Sequence, residues 1–210
     1  VNLDGVFLMT REAIPHLLET KGTIVNAGST AGLMAYGDAN AVAMEIGEFE
    51  VLPVVEEIPV ICGVHATDPR RRMWHWLGKV KDMGFSGVNN FPTHTIVDGH
   101  YRQTLEETGM SVQKEIDMIA LAHKMDMFTM PYVVTAQEAK GMAEAGADVI
   151  IAHVGCTIGG SIGVTDATVS MDHAVQATHT ICDAAHSVRK DVMVLSHGGP
   201  ILTPENAAYV

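Results

Sequence analysis

The chain has 210 residues, 47% of them hydrophobic and only 5% aromatic, which is enough for a sizeable core built mainly from aliphatic side chains. Its formal net charge of −12 excludes general nucleic-acid binding, because that function needs a basic face. The three cysteines form no CxxC pair, and no apolar run reaches membrane-spanning length. With no signal peptide, these features predict a cytoplasmic protein without a membrane partner.

Short apolar strands and amphipathic helices are predicted to alternate along the whole chain. After a helix over 2–20, the predicted strands are 23–26, 59–64, 87–92, 128–133, 149–152 and 191–195, and each is followed by a helical pattern. This alternation predicts a parallel α/β fold of βα repeats in a single domain over 1–210. A complete TIM barrel has eight strands, so about six predict a TIM-barrel-like but incomplete arrangement. The chain begins at Val1 and stops within a predicted helix, so we expect a fragment.

Several helix starts have recognisable capping residues. Asp68 followed by Pro69 predicts an N-cap and a helix that begins there. Thr135 with Glu138 predicts a capping box. Ser170 or Met171 and then Thr203 are predicted to open the last two helices.

Two glycine-rich loops follow neighbouring predicted strands. The first contains Gly159, Gly160 and Ser161, and the second contains Gly198 and Gly199. Glycines allow positive φ and let backbone N–H groups form an anion-binding nest, and ligands of α/β folds lie beyond the carboxyl ends of the strands. We therefore predict that these residues bind a phosphate. The alternative is that the loops only reverse the chain.

Polar side chains recur where the predicted strands end. They include Ser29, His65, Asp68, Asn89, Asn90, Tyr132, His153 and His197. Because similar places in successive βα units meet at one end of a sheet, we expect a ligand site there. Alternatives stay open, since Asp68 can serve only as an N-cap and the two asparagines can satisfy only loop backbone. Cys156 with the nearby His153 is a further candidate, as a nucleophile and its base.

Residues 1–34 resemble the middle of a short-chain dehydrogenase, a nicotinamide enzyme. Asn2 matches the asparagine of that family's NxxG helix, and Ser29 matches its catalytic hydroxyl. The family's Tyr-x-x-x-Lys does not follow, because position 42 is valine and Tyr36 is followed four residues later by Asn40. Without that tyrosine no group passes a proton to the substrate oxygen. We therefore expect neither dehydrogenase activity nor a nicotinamide cofactor.

Residues 29–210 resemble the phosphoenolpyruvate hydrolase-like family. The resemblance is carried by PVICGVHATDP, MGFSGVNNFPTHTIVDGHYRQTLEETGM, AGADVIIAHVGCTIGGSIG and VLSHGGPILTPENAAYV. The family is a (β/α)8-barrel group distantly related to phosphoenolpyruvate mutase and isocitrate lyase. The resemblance implies a small enolpyruvyl or phosphonopyruvate-like substrate, phosphorylated or carboxylated, and hydrolysis or bond cleavage beside a carbonyl.

On this resemblance, His153 and His197 are predicted catalytic residues that act as general acid or base. Asp68 is a predicted catalytic residue that could hold Mg²⁺ through one carboxylate and several waters. The predicted substrate-binding residues are Gly159, Gly160, Ser161, Gly198, Gly199, Asn89, Asn90 and Ser29.

Two other functions remain open at this point. One is a non-catalytic module that senses anions with the same loops, and the other is an inactive hybrid carrying a dehydrogenase fragment. The outer edges of the first and last predicted strands also leave a homo-oligomer open.

Overall fold

The computed structural model describes residues 24–26, 39–55, 57–159, 163–166 and 169–210. The predicted helix over 2–20 lies outside these residues. So do Asn2, Ser29, Gly160 and Ser161, and therefore most of the dehydrogenase-like segment.

The described elements alternate between strands and helices. In chain order they are β1 (Ile24–Asn26), α1 (Ala39–Ile46) continued by a π-helix (Gly47–Val51), β2 (Val60–Gly63), α2 (Met73–Asp82), β3 (Gly87–Asn89), α3 (Gly99–Glu107), α4 (Val112–Lys124), β4 (Phe128–Thr129), β5 (Tyr132–Val133), α5 (Ala136–Glu144), β6 (Val149–His153), α6 (Met171–Val188), β7 (Met193–His197) and α7 (Pro204–Tyr209).

The chain divides into two compact units, the first comprising Val1–Thr93 with Gln113–Met130. Its described strands form a parallel sheet in the order β1-β2-β3-β4. Every residue of β2 and β3 is buried, as continuous apolar strands of a parallel sheet require. Leu77 and Val80 of α2 and Ile119 of α4 are fully buried.

The second unit comprises His94–Val112 with Pro131–Val210 and contains a parallel sheet in the order β5-β6-β7. Ile150 and Ala152 of β6 are fully buried, and so are Met142 of α5 and Ala185 of α6. The capping box of Thr135 and Glu138 is confirmed at the start of α5, and Ser170 and Thr203 cap α6 and α7.

The prediction of a parallel α/β fold with about six strands is confirmed, with one strand divided in two. The Met130 N–H donates to the Val88 carbonyl, whereas the Pro131 carbonyl accepts from Ile151. The predicted strand over 128–133 is therefore two short strands, because its backbone changes hydrogen-bonding partner at Met130 and Pro131.

The predicted helix start at Asp68 is wrong. The helix begins at Met73, with Arg72 as its N-cap, and 68–71 form a turn. The Asp68 carboxylate accepts from Arg70 and Arg71 instead of capping a helix. In the described parts of the chain, no helix is both long and apolar enough to cross a membrane.

Candidate functional site

Two histidines meet at the carboxyl end of the sheet in the second unit. His153 ends β6 and His197 ends β7, and the two are register partners in the parallel ladder. Their Nδ1 atoms lie 3.3 Å apart, so one ring can donate a hydrogen bond to the other. His153 is half-buried and His197 is exposed, which leaves the pair open to a ligand. The structure thus brings together the two histidines predicted as catalytic.

Tyr132 of β5 supports both imidazole rings. Its ring meets His153 and His197 edge to face, with centroids 5.8 and 5.4 Å away. The side chain is buried, and this burial raises the pKa of its hydroxyl. Three neighbouring strands therefore each contribute one member, Tyr132 from the start of β5 and the two histidines from the ends of β6 and β7, to what we call the Tyr132–His153–His197 cluster.

Desolvation lowers the pKa of both histidines below 6.5. For His153 the nearby His197 lowers the pKa further, while a hydrogen bond to the His197 backbone opposes the shift. Both rings are therefore mainly neutral at neutral pH, the form in which an imidazole accepts a proton or binds a metal.

The glycines after β7 allow the close approach of two loops. The Gly199 N–H donates to the Gly155 carbonyl at 2.9 Å, and Gly198 has a φ of +90°. A Cβ atom on Gly198 would lie 2.2 Å from that carbonyl and 3.3 Å from His153 Nδ1. Glycine at 198 therefore provides the backbone conformation and the free space beside His153.

These contacts correct part of the predicted phosphate nest. The Gly199 N–H is engaged by Gly155, and the Gly159 N–H donates to the Val164 carbonyl at 2.8 Å. Neither amide can then also bind a phosphate. Among the predicted nest residues that the structure describes, only the Gly198 N–H has no assigned acceptor within the described chain.

Asp68 lies in the first unit, where arginines and an asparagine hold its carboxylate. Oδ1 accepts from the backbone N–H and Nε of Arg70 at 3.0 and 3.1 Å. Oδ2 accepts from Arg71 Nη1 at 2.6 Å and from Asn40 Nδ2 at 3.1 Å. Burial by itself raises the pKa of Asp68, but the hydrogen bonds from Arg70, Asn40 and Arg71 outweigh it and hold that pKa well below its usual range.

The Asp68 carboxylate does not suit Mg²⁺. Its side chain is fully buried, both oxygens already accept hydrogen bonds, and two guanidinium groups repel a second cation. Within the described residues, no group of three or more His, Cys, Asp or Glu side chains could hold a metal. These contacts give the Asp68 carboxylate a structural role, so we do not carry its predicted catalytic and Mg²⁺-binding roles into the proposed site.

Of the two predicted asparagines, Asn89 ends β3 and Asn90 follows it, and both are completely buried. Asn90 Nδ2 donates to Glu115 Oε2 at 2.6 Å, and Thr93 Oγ1 donates to the same oxygen at 2.6 Å. The Asn90 amide is thus committed to a buried carboxylate, and we do not assign it to a phosphate. Asn89 Oδ1 accepts from the Phe91 N–H, and no acceptor for Asn89 Nδ2 is found within the described residues.

The polar side chains that were predicted to form one ligand site at the strand ends therefore have different roles in the structure. The sequence patterns did not indicate Asn40 or Glu115, because each reaches its partner from another element. They also did not indicate Arg71, which lies in the same turn as Asp68. For Cys156, which is exposed, no contact with His153 is found within the described residues.

Comparison with known proteins agrees with the family suggested by the sequence motifs. The model of the family described as phosphoenolpyruvate hydrolase-like matches residues 23–210. Two proteins of Solanum lycopersicum, "ToMV susceptible protein tm-1(GCR26)" and "ToMV resistance protein Tm-1(GCR237)", are each 52% identical to this chain over 183 residues. The match covers 87% of this chain and 24% of each tomato protein, so the chain spans about a quarter of their length.

A similar solved structure is titled "Crystal structure of a putative phosphonomutase from Burkholderia cenocepacia J2315". It aligns with a TM-score of 0.46 and 16% identity, over 84% of this chain and 78% of that chain. The family match covers nearly the whole sequence, and the chain belongs to the phosphoenolpyruvate hydrolase-like family.

Proposed function

We propose that this chain is an enzyme that acts on a small phosphorylated or carboxylated substrate of the enolpyruvyl or phosphonopyruvate type. The reaction is hydrolysis or cleavage of a bond beside a carbonyl. Membership of the phosphoenolpyruvate hydrolase-like family supports the substrate class. The observation that carries the proposal is the pairing of His153 with His197 at two adjacent strand ends.

The histidine pair supplies a general base and a general acid. One neutral imidazole takes a proton from water or from the substrate and passes a proton to its partner ring, which then donates one to the leaving atom and returns to the neutral form. Because the two Nδ1 atoms are 3.3 Å apart, a proton can pass between the rings. Tyr132 restricts both rings from one side, which favours a fixed geometry.

The anionic group of the substrate needs local donors, because the chain carries a net charge of −12. The Gly198 N–H lies next to His197 and has no assigned acceptor among the described residues. Gly160 and Ser161 remain predicted phosphate-binding residues on the strength of the sequence. We place the substrate over this part of the second unit.

Turnover of phosphoenolpyruvate and phosphonopyruvate tests the proposal, with phosphate and pyruvate release as the readouts. His153→Asn and His197→Asn remove the titrating group and should each lower kcat about 10²-fold or more. His173→Asn, on the exposed face of α6, is the matched control and should retain wild-type turnover.

Calorimetric titration of the same compounds separates the alternatives. Binding without turnover would contradict the enzymatic proposal and favour an anion-sensing module. Neither binding nor turnover would favour an inactive hybrid.

A further inference from the structure

We propose that His153 and His197 together bind a divalent transition-metal ion, such as Zn²⁺, through their Nδ1 atoms. This inference rests on the histidine pair of the proposed active site and adds a cofactor to it. It differs from the Mg²⁺ expectation both in the residues and in the class of metal.

The spacing of the two nitrogen atoms suits one ion. Zn–N bonds are about 2.0–2.1 Å long, so nitrogens 3.3 Å apart subtend about 107° at the metal, close to the tetrahedral angle of about 109°. With both lone pairs aimed at the ion, the ring centroids would be about 5.1 Å apart, because each centroid lies about 3.2 Å from the metal. The observed centroid separation is 5.4 Å, so the rings need only a small adjustment.

The backbone holds this geometry before any ion arrives. Both histidines lie in hydrogen-bonded strands and are directly paired in the ladder. The Val154 N–H donates to the His197 carbonyl at 3.0 Å, which ties the two strand ends together. A Cβ atom on residue 198 would lie 3.3 Å from His153 Nδ1. Because glycine has no Cβ, the space beside this nitrogen stays open. The chelating pair is therefore preorganised and accessible.

The hydrogen bond between the two rings does not prevent metal binding. In the metal-free pair one Nδ1 carries the proton of the shared hydrogen bond. On metal binding that proton moves to Nε2 of the same ring, so both Nδ1 atoms become ligands without a net release of protons.

The donor type selects the metal. Neutral imidazole suits Zn²⁺, Ni²⁺, Cu²⁺ and Co²⁺, whereas Mg²⁺ prefers carboxylate, carbonyl and water oxygens. Within the described ranges no third metal-binding side chain joins the pair in a larger group. Water or substrate must then fill the remaining positions, one more than catalytic zinc sites with three protein ligands leave open.

Co²⁺ titration of the metal-free chain at pH 7.5 is the direct test, because tetrahedral Co²⁺ has visible absorption bands. His153→Phe and His197→Phe keep a ring against Tyr132 but remove the nitrogens, and each should weaken Co²⁺ binding about tenfold or more. His173→Phe, on the exposed face of α6, is the matched control and should bind as the wild type does. Thermal unfolding of each variant verifies that it is folded.

Three results would overturn the metal site. Equal Co²⁺ affinity in the wild type and in both folded pair variants would remove the histidines as ligands. Equal loss of affinity in the His173→Phe control would indicate nonspecific binding. Displacement of Co²⁺ by modest Mg²⁺ would contradict imidazole coordination.

Turnover assays with a chelator distinguish this inference from the proposed function. Turnover that is lost with the chelator and restored by Zn²⁺ would support the metal site and the proposed reaction, with the two histidines as ligands rather than as acid and base. Turnover that persists with the chelator but is lost in His197→Asn would overturn a metal-dependent site and keep the acid–base function. Metal binding at the pair without turnover of either substrate would support the metal site and contradict the proposed enzyme.

Discussion

Gly198 and Gly155 approach each other so closely that a Cβ atom on Gly198 would lie 2.2 Å from the Gly155 carbonyl oxygen. The same oxygen accepts the Gly199 N–H at 2.9 Å. This contact links the loops that follow β6 and β7, directly beyond His153 and His197. The separation of the two histidines therefore depends on a glycine at position 198.

Gly198→Ala should lower the free energy of unfolding by at least about 2 kcal/mol, because it combines positive φ with a clash against backbone. Gly84 is the matched control, since its φ is +100° and a Cβ atom there would meet nothing within 4 Å. Gly84→Ala should lower the free energy of unfolding by only about 1 kcal/mol, because it strains the backbone at positive φ without a clash. Urea unfolding measures the free energy of unfolding of both variants. Equal decreases would show that the contact with Gly155 does not contribute to stability.

Asp68→Asn should destabilise the first unit by about 3 kcal/mol, because it leaves the arginines around a fully buried position without their counter-charge. Of the two arginines, Arg71 should be affected more than Arg70, because its Nη1 lies 2.6 Å from Asp68 Oδ2. Its guanidinium also stacks on the Trp76 ring, 4.3 Å from the ring centroid.

Asp82→Asn, at an exposed position in the last turn of α2, is the control for Asp68→Asn and should change stability by less than about 0.5 kcal/mol. Chemical unfolding measures the difference. A folded Asp68→Asn variant of wild-type stability that has lost Mg²⁺ binding would restore the metal-binding interpretation of Asp68.

The stability of the chain should depend on pH through the histidine pair. Because the folded-state pKa values of His153 and His197 lie below 6.5, the unfolded chain binds more protons between those values and about 6.5. The contribution of the neutral histidine pair to the stability of the folded chain is fully present above about pH 6.5. It is lost as the pH falls from there through the folded-state values.

Urea unfolding at pH 7.5 and pH 5.5 measures this dependence. The double variant His153→Phe/His197→Phe should lose less stability between the two pH values than the wild type does. An identical loss in both proteins would show that other groups cause the pH dependence.

Local patterns were sufficient to predict most of the secondary structure. The capping box of Thr135 and Glu138 acts within one turn of helix, so neighbouring residues specify it. The apolar strand before His153 was predictable for the same reason, since a short β-branched run between helices suits a buried parallel strand. The short-range pattern failed at Asp68, because its carboxylate binds Arg70 and Arg71 rather than a helix N-terminus.

The sequence by itself determined the family, the α/β alternation and the two histidines at strand ends, because these follow from residue order and apolar periodicity. Only the tertiary structure decided that His153 and His197 are register partners with Nδ1 atoms 3.3 Å apart. It also decided that the amides of Gly159 and Gly199 are engaged and that Asp68 is held by arginines. Strand register and hydrogen-bond partners join residues that are distant in sequence, so no local pattern could specify them.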